Sequence, residues 1–287
     1  AVYLRFRPQL VIGMGSYSSF APVFTGAVLG RVFPIRTLIH EQNAIPGLAN
    51  RILSRFVDAV LVSYSRTEAN FPRARRVVVT GTPVREEFFR SRRTESAYRR
   101  FGLDPNRRTV LVFGGSLGSA RLVDGILRAK EALGDGMQVL LVLGTAADER
   151  AIREGLESIG VGNIAVRRYI ERMGEAFAIA DLIVARAGAT TIAEIAACGK
   201  PAILVPWGGS ADGHQLENAR LLEEEGACTV ADEDVIVDGG LVRLIRRLVN
   251  DDEMLNRLAE NARRYGRRNA NALIMGEIRF QMRGIGA

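Results

Sequence analysis

Short apolar runs alternate with stretches of helical spacing along the whole chain. Runs of Val, Ile and Leu of this kind are typical of buried parallel strands. The predicted strands are 10–13, 36–40, 59–62, 76–80, 109–113, 138–143, 163–166, 181–184, 202–205 and 228–230. The predicted helices between and after them are 21–29, 47–56, 120–133, 147–158, 173–180, 191–198 and 215–225, with two or three more within 238–282. This alternation predicts an α/β protein with parallel sheets.

The strand pattern is interrupted once, between Pro83 and Arg108, where the composition changes from apolar to charged. We therefore expect two doubly wound domains. The predicted division is residues 1–85, a connection at 86–108, a second domain at 109–270 and a C-terminal helix at 271–287 that packs back towards the first domain. A cleft is expected near the connection, and ligands of such sheets bind outside the carboxyl ends of the strands.

Composition narrows the class of protein. Of the 287 residues, 47% are hydrophobic, which excludes a disordered chain, and no apolar run is long enough to cross a bilayer. Two cysteines cannot supply a disulfide framework and favour a reducing, cytosolic compartment. The formal net charge of +7 suits an anionic partner. No basic stripe interleaved with aromatic residues is present, however, so we expect no nucleic-acid partner.

A glycine-rich turn at 113–119, FGGSLGS, follows one predicted strand and precedes a helix. Glycines let the backbone approach an anion, and a helix N-terminus offers N–H groups to it, so this turn could hold a diphosphate. It lacks the lysine of a P-loop and the spacing of a dinucleotide-binding motif. By itself, the motif is equally compatible with a tight strand–helix turn.

A second turn of this kind, ARAGATT at 185–191, is followed by Glu194 on an otherwise apolar helix. One interpretation is a capping box, in which Thr191 and Glu194 satisfy N–H groups of the first turn. The other is that Glu194 accepts hydrogen bonds from a ribose diol while the turn holds phosphate. The residues alone leave both open.

Two further polar stretches follow the ends of predicted strands. The stretch at 207–215, WGGSADGHQ, offers amides and hydroxyls suited to a sugar, although a lone histidine such as His214 is more often structural. The stretch at 40–47, HEQNAIPG, follows a strand and is expected to face the cleft. With two histidines in the chain and no helical pair of ligands, a metal hydrolase is a poor interpretation.

Together these stretches resemble the MurG family, membrane-associated transferases that add N-acetylglucosamine to lipid I and so make lipid II for bacterial peptidoglycan. The matching segments, in order, are HEQNAIPGLANR at 40–51, GTPVR at 81–85, GGSLG at 114–118, RAGATTIAE at 186–194 and HQLENA at 214–219. The resemblance implies a GT-B fold of two Rossmann-like domains. It also implies an inverting hexosyltransferase that uses UDP-GlcNAc and needs neither metal nor cofactor.

The resemblance also implies roles for individual residues. The backbone of Ile170 would read uracil, Glu194 would bind the ribose, and Arg85 would reach the nucleotide. Asn43 and Glu41 would lie on the acceptor side. The implied UDP-GlcNAc site comprises Asn43, Arg85, Ser116, Ile170, Ala189, Thr190, Thr191, Ile192, Ala193, Glu194 and Gln215, with Glu41, Gly188, His214 and Asn218 as further candidates.

The sequence departs from the family pattern in four places. Ser16 stands where the family usually has Gly. Thr82 replaces the usual Asn, Leu117 replaces the usual Gln, and no glycine-rich acceptor loop with the family's candidate catalytic histidine precedes Gln9. We therefore expect an incomplete N-terminal domain, assign no catalytic residue, and expect this chain to bind donor but turn over poorly. The implied location is the cytoplasmic face of the cell membrane, where Arg31, Val32, Phe33 and Arg36 could touch anionic lipid.

Three alternatives remain open. One is a related GT-B transferase with another acceptor, against which the HEQN segment argues. Another is an enzyme resembling UDP-GlcNAc 2-epimerase, which relies on more histidines than the two present here. The last is a non-catalytic nucleotide-sugar-binding subunit that needs a membrane partner. Product analysis with donor alone would separate the first two.

Overall fold

Two compact units make up the chain, one formed by Ala1–Val84 with Arg267–Ala287 and the other by Arg85–Gly266. The computed structural model describes residues 2–115, 118–134, 136–144, 148–210 and 213–283. Each unit is built on its own parallel sheet. Among these residues, no helix has the length and hydropathy that a membrane span requires.

The first unit contains a four-stranded sheet in the order β1-β2-β3-β4, with every neighbouring pair parallel. Its strands are β1 (Leu10–Gly13), β2 (Arg36–Glu41), β3 (Ala59–Val62) and β4 (Val77–Val79). Its helices are α1 (Val2–Phe6), α2 (Tyr17–Leu29), α3 (Leu48–Leu53) and α14 (Ala270–Met282), with a 3-10 turn at Ser65–Asn70. Consecutive strand residues point to opposite faces, so both faces of this apolar sheet need a cover.

Each face of the first sheet has its own cover. Ile39, Val60 and Val62 pack with Val23 of α2 on one face. On the other face, Leu38, Ala59 and Leu61 are covered by Ile274 and Ile278 of α14. The last helix is therefore part of the first unit's core.

An ion pair fixes α14 in place. Glu277 accepts two hydrogen bonds from Arg76, from Nε at 2.9 Å and from Nη2 at 3.0 Å. Its Oε1 also accepts one from Gln281 at 2.8 Å, and the Arg76 guanidinium lies over the ring of Phe280.

The second unit contains a six-stranded parallel sheet in the order β10-β9-β8-β5-β6-β7. Its strands are β5 (Arg108–Phe113), β6 (Met137–Val142), β7 (Ile164–Arg167), β8 (Leu182–Ala185), β9 (Ala202–Leu204) and β10 (Thr229–Val230). The chain runs outward from β5 through β7 and then returns to the other side of β5. The carboxyl ends of β5 and β8 are therefore the switch point at which sheets of this kind bind ligands.

Helices cover both faces of the second sheet. They are α4 (Glu87–Arg90), α5 (Glu95–Phe101), α6 (Ala120–Arg128), α7 (Glu149–Ser158), α8 (Met173–Ile179), α9 (Ala189–Cys198), α10 (His214–Glu224), α11 (Asp234–Val237), α12 (Gly240–Val249) and α13 (Asp252–Tyr265), with a 3-10 turn at Lys130–Leu133. The core beneath them includes Val110, Leu141 and Val184 of the central strands.

The helices α4 and α5 differ from the expectation. Residues 86–108 are predicted as a connection between domains, but the structure places them in the second unit. The reason is that Phe88, Tyr98 and Phe101 are buried, while the charged residues between them face solvent. At the other end, residues 267–270 belong to the first unit rather than to the second.

Candidate functional site

The glycine turn after β5 fits tightly against the end of β6. A Cβ added to Gly118 would lie 2.0 Å from the carbonyl oxygen of Leu143, and Gly118 has a φ of +83°. Ser119 then caps α6, its hydroxyl accepting from the backbone N–H of Leu122 at 3.4 Å. Positions 114 and 118 therefore require glycine, since a Cβ on Gly114 would also lie 2.3 Å from Ser119. Ser116 and Leu117, which the resemblance places at the diphosphate, lie outside the described residues.

The turn after β8 leads directly into α9. Gly188 is the N-cap residue and makes no side-chain capping bond. The capping-box interpretation of Thr191 and Glu194 is therefore wrong, because the residue in the capping position has no side chain. The first N–H groups of a helix lack intrahelical acceptors. Ala189, Thr190 and Thr191 form the first turn of α9 at the switch point, and a helix N-terminus of this kind is suited to an anion.

Glu194 is buried one turn further along α9, facing a charged pair. Its Oε1 lies 3.8 Å from Nη2 of Arg85, and Nη1 of Arg85 lies 2.9 Å from Oε1 of Glu87. Burial raises the pKa of Glu194 to about 7, an effect that Arg85 opposes and Glu87 reinforces. Near neutral pH this carboxyl therefore gains or loses its proton easily.

Arg85 rests on an aromatic column. Its guanidinium carbon lies 5.1 Å from the ring centre of Phe88. The ring of Phe88 packs edge-on against Phe177 at 4.8 Å, and Phe177 in turn contacts Phe113 at 5.9 Å. This column connects Arg85 to the last residue of β5, immediately before the glycine turn.

A buried arginine ties the loops at this edge of the sheet together. Arg186, directly after β8, donates from Nε to the hydroxyl of Ser119 at 3.2 Å. Its Nη1 donates to the carbonyls of Val205 and Pro206 at 3.1 and 3.2 Å. Its Nη2 lies 2.6 Å from Oε1 of Glu233. One side chain therefore fixes the turns that follow β5, β8, β9 and β10.

The turn after β9 positions Gln215. Its side-chain Oε1 accepts from the backbone N–H of Trp207 at 3.0 Å, and its own N–H donates to the hydroxyl of Ser210 at 3.4 Å. Asn218 is buried one turn later, at 1% exposure, while half of Trp207 is exposed. Within the described part of the chain, the NH₂ group of Gln215 meets no acceptor, and it is one of the donors at the sheet edge.

Ile170 follows β7 and is buried, between the exposed side chains of Tyr169 and Glu171. The carbonyl of Arg168 accepts from the N–H of Gly144 at 3.0 Å, which joins this loop to the end of β6. Ile170 therefore lies at the same carboxyl edge as the glycine turn.

In the first unit, Glu41 holds together the loop that follows β2. Its Oε1 accepts from the backbone N–H of Asn43 at 2.9 Å and from its side-chain Nδ2 at 3.2 Å. Its Oε2 accepts from the N–H of Gly47 at 3.0 Å and from Nδ2 of Asn50 at 2.9 Å. The carboxylate is 3% exposed, so its observed role is to fix the loop that carries Asn43.

His40 fixes the segment that leads to Arg85. Its Nε2 lies 2.9 Å from the carbonyl of Gly81, which requires the proton on Nε2. Burial lowers the pKa of His40, so the ring is neutral. Next to it, the hydroxyls of Ser63 and Thr82 share a hydrogen bond of 2.6 Å.

Comparison with known proteins shows which protein family the chain resembles. Residues 109–274 match the model of the glycosyltransferase family 28 C-terminal domain, and residues 1–62 match that of the N-terminal domain. The chain is 39% identical over 273 residues to a Desulfitobacterium hafniense protein named UDP-N-acetylglucosamine–N-acetylmuramyl-(pentapeptide) pyrophosphoryl-undecaprenol N-acetylglucosamine transferase, covering 93% of this chain and 72% of that protein. A Desulforamulus reducens protein of the same name is 36% identical over 91% of this chain and 71% of its own length.

This chain belongs to the MurG family within glycosyltransferase family 28. Its structure resembles that of Acinetobacter baumannii MurG, with a TM-score of 0.73 and 25% identity, covering 96% of this chain and 75% of the other. UDP-N-acetylglucosamine 2-epimerase from Listeria monocytogenes shares the fold at a TM-score of 0.69 and 13% identity. The predicted family, the GT-B fold and the class of N-acetylglucosaminyltransferase are therefore confirmed.

The MurG-family residues predicted for the second unit lie at one edge of its sheet. Gly188, Ala189, Thr190 and Thr191 form the start of α9, with Ile192, Ala193 and Glu194 in the same helix. Gln215, His214 and Asn218 lie in the first turns of α10. Their binding roles remain predictions. Among the described residues, no group of three or more His, Cys, Asp or Glu side chains could hold a metal ion.

Several residues at this edge were not predicted from the sequence as site residues. Arg186 stands directly after an apolar strand, where a buried charge is unusual, and that position was a usable signal. Glu87 and Glu233 gave no comparable signal, since each lies in a charged surface stretch. Their importance depends on contacts that only the fold creates.

Proposed function

We propose that this chain transfers N-acetylglucosamine from UDP-GlcNAc to lipid I, the undecaprenyl-pyrophosphoryl-MurNAc-pentapeptide, giving lipid II for peptidoglycan and so serving cell shape and division. The name that its relatives carry supports the reaction. The observation that carries it is the buried carboxyl of Glu194, which lies 3.8 Å from Arg85 on the helix that begins at Ala189.

The donor's nucleotide fits this edge of the second unit. Glu194 accepts hydrogen bonds from the two ribose hydroxyls. Its ionised carboxylate can accept one with each oxygen. The N–H groups at the start of α9 face the diphosphate, together with the turn at Gly114 and Gly118. The backbone at Ile170 reads the edge of uracil.

The sugar is oriented by Gln215. Because Trp207 holds the amide oxygen, the NH₂ group is directed towards sugar hydroxyls. His214 and Asn218 stand beside it in α10 and supply further polar groups.

The reaction inverts the anomeric carbon. A hydroxyl of the acceptor attacks that carbon and releases its proton to solvent. The new C–O bond forms on the face opposite to the diphosphate, and the bond to UDP breaks. Negative charge develops on the leaving diphosphate, where the α9 N-terminus and Arg85 stabilise it. Preorganised dipoles and charges of this kind lower a barrier by several kcal/mol, about the contribution that a bound divalent metal would make.

The acceptor is a membrane lipid, and the first unit offers a surface for it. Val32 is 81% exposed and Phe33 53% exposed, with Arg31 beside them in the sequence. Exposed apolar and basic side chains together favour an anionic bilayer, here the cytoplasmic face of the cell membrane. Asn43, in the loop that follows β2, is assigned to the acceptor side. We propose peripheral attachment there and no nucleic-acid partner.

The proposal is tested by incubating the chain with radiolabelled UDP-GlcNAc and a short-chain analogue of lipid I, with and without EDTA. Label should enter the lipid, the new linkage should be β, and EDTA should leave the rate unchanged. Conversion of donor alone into an isomer would indicate an epimerase instead. Loss of the reaction with EDTA would contradict metal independence. That this chain turns over poorly stays a prediction, and the rate of label transfer in the same assay measures it.

Membrane attachment has a separate test. Sedimentation with vesicles containing phosphatidylglycerol is expected for the chain and reduced for the double variant V32S/F33S. I159S is the matched control, because Ile159 is 57% exposed but lies in the second unit. Equal sedimentation of all three proteins would contradict the proposed surface.

A further inference from the structure

Arg85 is shared between two carboxylates. Its Nη1 forms a close ion pair of 2.9 Å with Glu87, whereas its Nη2 is 3.8 Å from Glu194, at the limit of an ion pair. The geometry is therefore asymmetric. Glu87 holds the guanidinium, and Glu194 is left incompletely paired.

Glu87 is itself held rigidly. A Cβ added to Gly174 of α8 would lie 2.7 Å from the carbonyl of Glu87, so α4 lies directly on α8. Phe88, the next residue, is buried against Phe177 and its carbonyl accepts from Sγ of Cys198 at 3.6 Å. The Oε1 atom of Glu87 is shielded from solvent. The backbone of Glu87 is therefore fixed, and its carboxylate, with a side chain 29% exposed, is the anchor for the half-exposed Arg85.

Without this anchor, Arg85 would turn to the other carboxylate. An arginine and a carboxylate prefer two parallel hydrogen bonds. Arg85 could form both with the two carboxylate oxygens of Glu194, only one of which now lies near it. That closed pair would occupy the oxygens needed by the ribose and the guanidinium needed by the diphosphate. Donor binding would then first have to break a partly buried ion pair.

We propose that Glu87 is a positioning residue that keeps Arg85 on the face of Phe88 and apart from Glu194, so that both remain available to the nucleotide. The inference rests on the proposed UDP-GlcNAc site and extends it by a residue that touches no donor atom. Glu87 acts on donor binding through the position of Arg85, and this dependence makes the proposal testable.

The charged surroundings of Glu194 are limited. Among the described residues, Arg85 and Glu87 are the charged side chains that shift its pKa. The helix α13 also packs on α9, but its Arg263 meets the far end of α9, at Gly199. The polar residues at the start of α10, His214 and Gln215, lie at the Trp207 turn. A change at Glu87 therefore reaches Glu194 in two ways, directly through the loss of its charge and indirectly through the position of Arg85.

The test is a double-mutant cycle on UDP-GlcNAc affinity, measured by calorimetry at pH 8 with E87Q, E87D, R85M and R85M/E87Q. E87Q should weaken binding about tenfold, within the range of couplings between contacting charged groups. E87D should retain most of the affinity. R85M/E87Q should bind within about twofold of R85M, because no arginine is left to be misdirected. E86Q is the control, since Glu86 pairs with Arg90 in solvent and should bind like wild type.

A readout without ligand separates this inference from the donor site itself. Carbon-detected NMR titration should show the pKa of Glu194 falling in E87Q. The fall should be smaller when R85M/E87Q is compared with R85M, because only the direct effect of the lost Glu87 charge remains there. Wild-type protein that fails to bind UDP-GlcNAc would contradict the proposed function, while the titration would still test the position of Arg85. An equal loss of affinity from E87Q in both backgrounds, or equal shifts of that pKa, would overturn the inference.

Discussion

Nη2 of Arg186 lies 2.6 Å from Oε1 of Glu233, and both side chains are largely buried at the carboxyl edge of the second sheet. The same guanidinium donates to Ser119, Val205 and Pro206. The four turns that surround the proposed donor site are thereby linked through one charge. The geometry of that site depends on an ion pair that the donor itself does not touch.

Removing one partner of this pair should be costly. E233Q leaves Arg186 buried without its counter-charge, and breaking such a pair typically lowers the free energy of unfolding by about 3 kcal/mol. Urea denaturation measures the loss. E154Q provides the control, because Glu154 pairs with Arg150 on an exposed face of α7 and should change stability by less than about 1 kcal/mol. Equal losses of unfolding free energy in the two variants would show that the buried pair stabilises the fold no more than an exposed pair does.

Glu194 should make stability fall as pH rises. Its folded-state pKa is about 7, above the ordinary value of 4.5, so the folded protein disfavours the ionised form. The unfolded chain loses this proton near pH 4.5 and the folded one near 7. The stabilising effect is therefore complete below 4.5 and is lost as pH rises to 7. E194Q should thus gain melting temperature relative to wild type between pH 4.5 and pH 8. A constant difference would contradict the raised pKa.

Two glycines of the first turn should respond differently to alanine. G115A and G118A both place a side chain at positive φ, +88° and +83°, which costs about 1 to 2 kcal/mol. At Gly115 no atom lies within 4 Å of the new Cβ, whereas at Gly118 the carbonyl of Leu143 lies at 2.0 Å. G118A should therefore lower the melting temperature further and abolish UDP-GlcNAc binding. Equal melting temperatures and affinities would mean that the turn does not fit against β6 as described.

In the first unit, Glu277 should stabilise the last helix. E277Q weakens a bidentate pair with Arg76, which is 45% exposed. Because solvent screens that side, we expect a loss of about 1 kcal/mol. Faster amide hydrogen exchange at Ile274 and Ile278 should accompany it, while β5 stays unchanged. Unchanged exchange in α14 would show that apolar packing alone holds the helix.

The strands could be predicted from the sequence because a parallel strand buried on both faces is a continuous apolar run. The run at 59–62 and its structural counterpart Ala59–Val62 agree for this reason. Residues 86–101 could not be placed in the same way. Their surface charges mask Phe88, Tyr98 and Phe101, which face α8 and the second sheet.

The sequence predicts where the backbone turns of the site lie, but it does not predict most of the side-chain contacts between them. Glycines next to strand ends, such as Gly114 and Gly188, are local signals. Glu41 was expected to face a cleft, but Gly47 and Asn50 return along the chain to enclose its carboxylate. The partnership of Arg186 with Glu233 depends on the neighbouring positions of β8, β9 and β10, which no local pattern records.

Calorimetric titration with UDP-GlcNAc, comparing wild type, E194A and E154A, tests the account most directly. UDP-glucose and EDTA serve as further controls. Wild type and E154A should bind UDP-GlcNAc in preference to UDP-glucose and regardless of EDTA. E194A should bind it at least about tenfold more weakly, the expected loss of a charged hydrogen-bond acceptor. Equal affinity of E194A and wild type, or no binding by wild-type protein whose circular dichroism shows it folded, would contradict the proposed donor site.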